Sequence, residues 1–400
     1  MDSGLKTNTV IIANSRIKKK DNPEVIQLTE YDFHPCHPFF IEHPDIKPEA
    51  ISHVIIKGVL EQYEYIRTVL RYCDYMLAPG GLLDIYFYNA HFDVPGFAVR
   101  GRNEWQCELS LVFQDRVELI HCDKDSVNGH FVYRKNKSCL PEGDTIDRWS
   151  FGIVSDGRRN ERIMDIIRQI KTFNIKEYEV IICGPAPSQN LDNNVRVIDD
   201  SSFYSDLRIP ISKKKNAIIS QARYNNLIIM HDRISFSDGW YGKMKDYGNY
   251  YDCLCTRILM EGANDSRMND WSVFNGFHTT LKEKLKVRKI VLDYNEWTPC
   301  VYVSGGFMQI KRDLAQRILL NPNLYWGEKE DVDFSQRLVI SGVLIEFYSD
   351  NVLYSEARRF YGGKKRKYGL FGVRAMIGTF RRYLKEQKSF HRYLDSMQVL

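Results

Sequence analysis

The sequence predicts an α/β protein: a parallel-sheet domain over residues 149–356, a smaller α/β domain over residues 1–140, and a basic helical tail over residues 357–400. Three observations lead there. From Trp149 onward, apolar runs of strand length alternate with a helix-period stretch, the pattern of a parallel sheet with crossover helices. Between Ile51 and Tyr88, two strand-like runs flank a helix-period stretch that ends in a Pro-Gly-Gly turn. The 400 residues exceed one ordinary core.

Composition narrows the class. With 44% hydrophobic and 13% aromatic residues the chain buries a core and is not a disordered one. Val10–Ala13 is too short for a signal-peptide core and leads into the basic Arg16–Lys20, and no run approaches the ~20 apolar residues that span a bilayer. The nine cysteines are scattered. Cys253-Leu-Cys255 is not a zinc spacing, so a reducing, cytoplasmic setting is expected. Residues 357–400 hold twelve Lys/Arg against Glu386 and Asp395, which exceeds the net +5 of the whole chain. The basicity therefore belongs to the tail, and the rest is net acidic.

The elements follow in order. Thr9–Ala13 and Ile51–Ile56 read as strands, and Tyr63–Met76 as a helix through Ile66, Val69, Leu70 and Cys73. Ala78-Pro-Gly-Gly81 ends it, and Leu82–Tyr88 is the next strand. Leu109–Phe113 and Gly129–Tyr133 read as a closing strand pair, and Gly129–Arg148 as a charged linker. Trp149–Ser155 opens the second domain. Ile163, Ile166, Ile167 and Ile170 mark a helix, Val180–Cys183 and Val195–Ile198 two further strands. Ile211–Asn216 leads into a helix carrying Ala217, Ile218 and Ala222, followed by the strand Asn226–Met230. Ligands of such sheets bind at the carboxyl ends of the strands, where Asp156, Gly184, Asp199 and Asp200, and His231-Asp232-Arg233 stand. A strand-end Asp is also an ordinary turn residue.

The stretch Trp326–Arg337 crowds Glu328, Glu330, Asp331 and Asp333 into a helix start, with Phe334 and Leu338 giving the apolar spacing and Gly342 the stop. Acids there meet the positive end of the helix dipole, which helps keep them ionised, and an acid-rich helix start is also often just a solvated first turn. An ionised carboxylate beside a cleft can take the proton of an attacking hydroxyl. The Ser304-Gly-Gly306 turn upstream allows a close backbone approach.

Met230-His-Asp232, Trp240-Tyr241, Arg267-Met-Asn-Asp-Trp271, Gly305-Gly306 and Gly327-Glu-Lys-Glu-Asp-Val-Asp-Phe-Ser-Gln-Arg337 together resemble a GT-A-fold (Rossmann-like nucleotide-diphospho-sugar transferase), family-2-like glycosyltransferase over about residues 149–356. The helix, Pro-Gly-Gly turn and strand near residue 80 resemble the later half of a class I methyltransferase. No glycine-rich cofactor turn precedes that strand, so a truncated, non-catalytic domain without S-adenosylmethionine is expected.

The first resemblance implies a nucleotide-sugar donor held by Asp156, Gly184, Asp199, Lys215, Asn216 and Asp232. It implies a divalent metal, Mn²⁺ or Mg²⁺, at Asp232 with His231 as a possible second ligand, because hard oxygen donors suit those ions. Departing from the usual Asp-x-Asp, His231-Asp232-Arg233 offers one acid only. Asp331 matches the base and Glu330 its paired acid. A glycan or glycolipid acceptor would pack against Trp240, Tyr241, Trp271, Gly305, Gly306 and Trp326, although each aromatic singly is as well explained by core filling. The reaction implied is inverting hexosyl transfer in surface polysaccharide biosynthesis.

Val373, Met376, Ile377, Phe380 and Leu384 share one helical face ringed by Arg and Lys, which suits an anionic membrane surface such as the cytoplasmic face of an inner membrane. No nucleic-acid reader motif accompanies the charge. Two alternatives stay open. An S-adenosylmethionine-dependent methyltransferase would bind that cofactor; a non-catalytic assembly protein on a decayed transferase scaffold would turn over no nucleotide-sugar.

Overall fold

A computed structural model describes residues 9–13, 25–60, 65–88, 102–123, 128–188, 191–262, 266–274 and 291–356. The tail helix and its basic face lie outside the described residues, as does the chain immediately after Ala13. In chain order the first part of the chain comprises β1 (Thr9–Ala13), β2 (Val25–Leu28), α1 (Phe39–Glu42), β3 (Ile51–Lys57), α2 (Ile66–Met76), β4 (Leu77–Tyr88), α3 (Arg102–Phe113), β5 (Val117–Asp123) and β6 (Asn128–Lys135). Among the described residues its sheet runs β2-β1-β3-β4-β6-β5, parallel through β4 and antiparallel at β4–β6 and β6–β5.

The Pro-Gly-Gly turn is a wide bulge. Leu77 pairs with Ile51 and Leu82 with His53, so four residues face Ser52 alone. Gly80 takes φ +88° there, a left-handed backbone open to glycine without strain.

Two expectations for this part of the chain need correction. Leu109–Phe113 is the end of α3, not a strand. Trp105, Leu109, Val112 and Phe113 are buried at i, i+4, i+7 and i+8, a helical period that the five-residue window was too short to reveal. Nor is Gly129–Arg148 all linker. Its first part is β6, as the strand reading of Gly129–Tyr133 expects, and Phe131, Tyr133 and Lys135 face inward along it. Lys135 passes for a solvent residue in sequence, yet its Nζ is fully buried against Glu49 (2.9 Å) and Asp74 (3.4 Å).

The rest of the described chain comprises β7 (Arg148–Val154), α4 (Asn160–Thr172), β8 (Glu177–Cys183), β9 (Val195–Ile198), α5 (Ile211–Gln221), β10 (Asn226–His231), β11 (Ile234–Phe236), α6 (Trp240–Tyr247), β12 (Cys253–Met260), β13 (Ser272–Val273), β14 (Val301–Tyr302), β15 (Phe307–Lys311), α7 (Arg312–Ile318), α8 (Glu330–Ile340) and β16 (Ile345–Ser355). Its sheet runs β11-β16-β12-β15-β10-β7-β8-β9. β10, β7, β8 and β9 are mutually parallel, and β15 joins antiparallel to β10. Helix α5 starts at Ile211, so the Lys-Lys-Lys-Asn run lies inside it and does not precede it.

Strand alternation divides the core. Ile181 and Cys183 pack with Ile218 of α5 and Phe334 and Leu338 of α8, while Val180 and Ile182 pack with Ile163 and Ile166 of α4 and Trp240 of α6. Helix α2 ties the two sheets together. It is buried almost all round, and its polar groups cross the boundary: Arg71 Nη2 meets Asp252 Oδ2 at 2.9 Å and Tyr72 Oη donates to Glu346 Oε1 at 2.5 Å. Among the described residues no helix is long and apolar enough to cross a membrane.

Candidate functional site

Pairing of the four parallel strands sets the floor of the site. Val154 pairs with Cys183, Cys183 with Ile198, and His231 with Val154. The residues that follow each strand therefore share the carboxyl edge of the sheet. Gly184 has φ +114°, and a Cβ there would stand 2.3 Å from Ser155 O and 3.0 Å from Lys214 Nζ. Only glycine fits. Lys214 Nζ donates to Ser155 O at 2.8 Å and pairs with buried Asp200. Burial pulls the Lys214 pKa down, but the pairing with Asp200 and Tyr204 outweighs it and holds the ammonium above its ordinary value. Asp200 thus faces inward. Asp199 turns to solvent, where it accepts the Ser201 N–H (3.0 Å) and Oγ–H (2.9 Å). Asp156 is exposed and accepts the Arg158 N–H at 3.0 Å.

Asp232 closes β10. Its Oδ1 accepts from Arg159 Nη1 at 3.3 Å, while Oδ2 is buried without a hydrogen-bond partner. Burial raises its pKa above the ordinary carboxylate range; Arg159 pulls against it, the like charge of Asp156 adds to it, and the Asp156 backbone N–H opposes it. A buried, orphaned carboxylate oxygen with a second acid close by suits a hard divalent cation. Among the described residues, however, no three His, Cys, Asp or Glu side chains are placed to hold a metal. An ion held at Asp232 would therefore need further ligands from a bound molecule or water.

On the other side of the Ser304–Gly306 turn stands the acid pair. Glu330 and Asp331 open α8 after Lys329, which adopts a left-handed φ of +63°. Asp331 Oδ2 accepts the Gly305 N–H at 2.9 Å and its Oδ1 the Val332 N–H at 2.9 Å. Glu330 is buried, with Oε1 3.0 Å from Lys215 Nζ; that ammonium also donates to Gly305 O at 2.9 Å. A Cβ on Gly305 would meet Asp331 Oδ2 at 2.8 Å and Glu330 Oε1 at 3.0 Å. Burial, and after it the charge of Glu330, push the Asp331 carboxyl above its ordinary range, with Lys215 opposing. Next in the turn, Gly306 O accepts the His231 N–H at 3.0 Å. One glycine turn therefore touches the acid pair with Gly305 and the Asp232 strand end with Gly306.

No protein-family model and no curated protein sequence matches the chain. Solved structures that are similar include S. aureus TarS 1-349, at 12% identity over 52% of this chain and 60% of that one, TM-score 0.34. GalNAc-T7 with UDP, GalNAc and Mn²⁺ matches at 14% identity over 54% and 44%, TM-score 0.36. CrArsM, an arsenic (III) S-adenosylmethionine methyltransferase from Chlamydomonas reinhardtii, matches at 11% identity over 35% and 66%, TM-score 0.23. The chain thus spans less than two thirds of the TarS and GalNAc-T7 chains. These likenesses are distant, and the functional reading rests on the site itself.

Several expected contacts are not assembled at that site. Trp240 and Trp271 are each 0% exposed. The first packs on Trp149, Phe151 and Phe236, and the second donates Nε1–H to Glu296 O at 2.7 Å. Both fill the core and offer no face to a sugar. Tyr241 is buried, with its hydroxyl on Asp147, at the opposite end of β7 from Asp156. Trp326 is 44% exposed just ahead of the acid pair. Asn216 does not face the cleft. Its amide makes two 2.8 Å hydrogen bonds to the Leu320 backbone, anchoring the loop that leads to α8. Sequence reasoning missed Arg159 and Lys214. The Asp199-Asp200 doublet carries no signal that says which acid turns inward.

Proposed function

We propose that the chain is a nucleotide-sugar-dependent glycosyltransferase, moving a hexosyl group to a hydroxyl of a glycan or glycolipid by inverting single displacement, in surface polysaccharide synthesis. One observation carries this reading: a single glycine turn sets a half-buried carboxylate, Asp331, on one side and a buried strand-end carboxylate, Asp232, on the other. Asp331 takes the acceptor proton as the hydroxyl attacks the anomeric carbon. The nucleoside diphosphate leaves toward Asp232, where Arg159 and Lys214 supply positive charge. A Mn²⁺ or Mg²⁺ ion at Asp232 would stabilise the leaving diphosphate, with Asp156 as the neighbouring acid. Trp326 offers the sugar a flat face. The basic tail would bring the protein to an anionic membrane surface, which salt-sensitive flotation with anionic vesicles tests.

The deciding experiment screens the full chain against UDP-, GDP-, CMP- and dTDP-sugars, with Mn²⁺ and with EDTA, reading thermal stabilisation and donor turnover. One donor class is expected to raise the melting temperature and be consumed, and Asp232→Ala to abolish both effects. Absence of stabilisation and turnover across the panel would reject the reading. Stabilisation by S-adenosylmethionine instead would favour the methyltransferase alternative.

A further inference from the structure

We propose that Lys215 is a positioning residue that assigns the two acids their separate roles, and not a ligand of the donor; the proposal rests on the glycosyltransferase reading. Lys215 projects from α5 and is 0% exposed. Its Nζ makes two contacts at once, with Glu330 Oε1 at 3.0 Å and Gly305 O at 2.9 Å. The peptide group whose carbonyl it binds is followed in the same turn by the glycine turn's second residue, while the Gly305 N–H holds Asp331 Oδ2 at 2.9 Å. One buried ammonium thus fixes the first acid directly and the second through Gly305.

The chemistry follows from that arrangement. Two adjacent carboxylates in a low-dielectric site disfavour joint ionisation, so one must be neutralised or the other loses its charge. Lys215 supplies the neutralising charge to Glu330. Glu330 is thereby tied to that ammonium by the 3.0 Å ion pair. Asp331, bound only by backbone N–H groups, keeps the charge that an attacking hydroxyl can protonate. The charged groups facing Asp331 are Glu330 on its own helix and Lys215 from α5; Arg233 lies beyond, 3.3 Å from where a Cβ on Gly306 would be. Lys214 and Lys215 are equally buried, and their partners separate them: Lys214 is joined to the sheet edge through Ser155 and Asp200, whereas Lys215 is joined to the acid pair through Glu330 and Gly305.

The test is a double-mutant cycle on the full chain, comparing wild type, Lys215→Met, Glu330→Gln and the double variant in kcat, donor KM and the pH profile of kcat. Residues sharing one network couple non-additively. Lys215→Met leaves Glu330 as an unpaired buried anion. Its kcat should fall roughly a hundredfold, with donor KM within about threefold and the acid limb of kcat displaced to higher pH. The double variant removes both charges and should recover about tenfold of that loss, with its acid limb back near the wild-type position. A donor KM raised about tenfold or more at constant kcat, or losses that simply multiply, would overturn the assignment. Should Lys215→Met fail to fold, the double variant buries no unpaired charge and decides alone. A wild-type acid limb and donor KM support the proposal, and a raised donor KM overturns it. Wild-type protein that transfers no sugar removes the glycosyltransferase reading as well, whereas active wild type with multiplying losses removes this assignment only.

Discussion

Asp331 differs from a surface aspartate in ways that can be measured. Two backbone N–H groups stabilise its charged form, while burial and Glu330 disfavour it more strongly, and the net effect raises its pKa above the ordinary 3.8. A general base works ionised, so turnover should climb as pH rises through that raised pKa and plateau only above it. Asp331→Asn keeps the shape and removes the base. Turnover should fall by roughly two to four orders of magnitude and the acid limb should disappear, with donor affinity nearly unchanged. Kinetics across pH checks this; an Asp331→Asn enzyme with near-normal turnover would show that another group takes the proton. Trp326 and Trp240 show how a residue type alone misleads. Both are tryptophans beside candidate motifs, but one is 44% and the other 0% exposed, so only the first can meet a sugar.

At the scale of elements, the start of α8 works only because the turn before it lacks a side chain. The Gly305 position has no backbone need for glycine; what excludes a Cβ is the carboxylate oxygens at 2.8 and 3.0 Å. Gly305→Ala should therefore fold, displace the acid pair by a fraction of an ångström and lower kcat by about a hundredfold. A melting temperature near that of wild type together with that loss is the expected pair of readings; unchanged kcat would mean the pair tolerates displacement. Sequence made the strands β1, β3, β7, β8, β9 and β10 legible, because buried parallel strands are continuous apolar runs bounded by turn residues. It also placed the start of α8 and the acids in its first turn. It misread α3, whose helical period emerges only over twelve residues, and it found β6 through Gly129–Tyr133 but left Arg134 and Lys135 to the linker because they look like solvent charge. Partners distant in sequence stayed hidden: no local pattern says that Lys215 meets an acid 115 positions away, or that Asn216 braces Leu320.

Across the whole molecule, the two sheets are joined by polar groups that water does not reach. Helix α2 sends Tyr72 to Glu346 of β16, which also receives the Tyr247 hydroxyl at 3.2 Å. Close by, Arg71 and the Tyr75 hydroxyl meet Asp252 at 2.9 and 3.2 Å. Glu346 is 0% exposed, with Oε2 facing no partner. Burial raises its pKa to about 8, the Asp252 charge adds to that, and the two tyrosine hydroxyls and Arg71 oppose it. The consequence for stability has a definite sign. In the unfolded chain Glu346 titrates near its ordinary 4.5, whereas the folded protein keeps the proton up to about 8. The folded state binds the extra proton between those values, so the contribution is fully present below pH 4.5 and is lost as pH rises toward 8. Glu346→Gln replaces the protonated acid with a neutral amide of similar shape and removes that titration. Melting temperatures from pH 5 to 9 should decline less steeply in Glu346→Gln than in wild type, and the variant should be the more stable of the two at the alkaline end. Parallel curves would mean that Glu346 is ionised in the folded protein throughout, held by Arg71 and the tyrosines, and that the joint between the sheets carries a permanent buried charge.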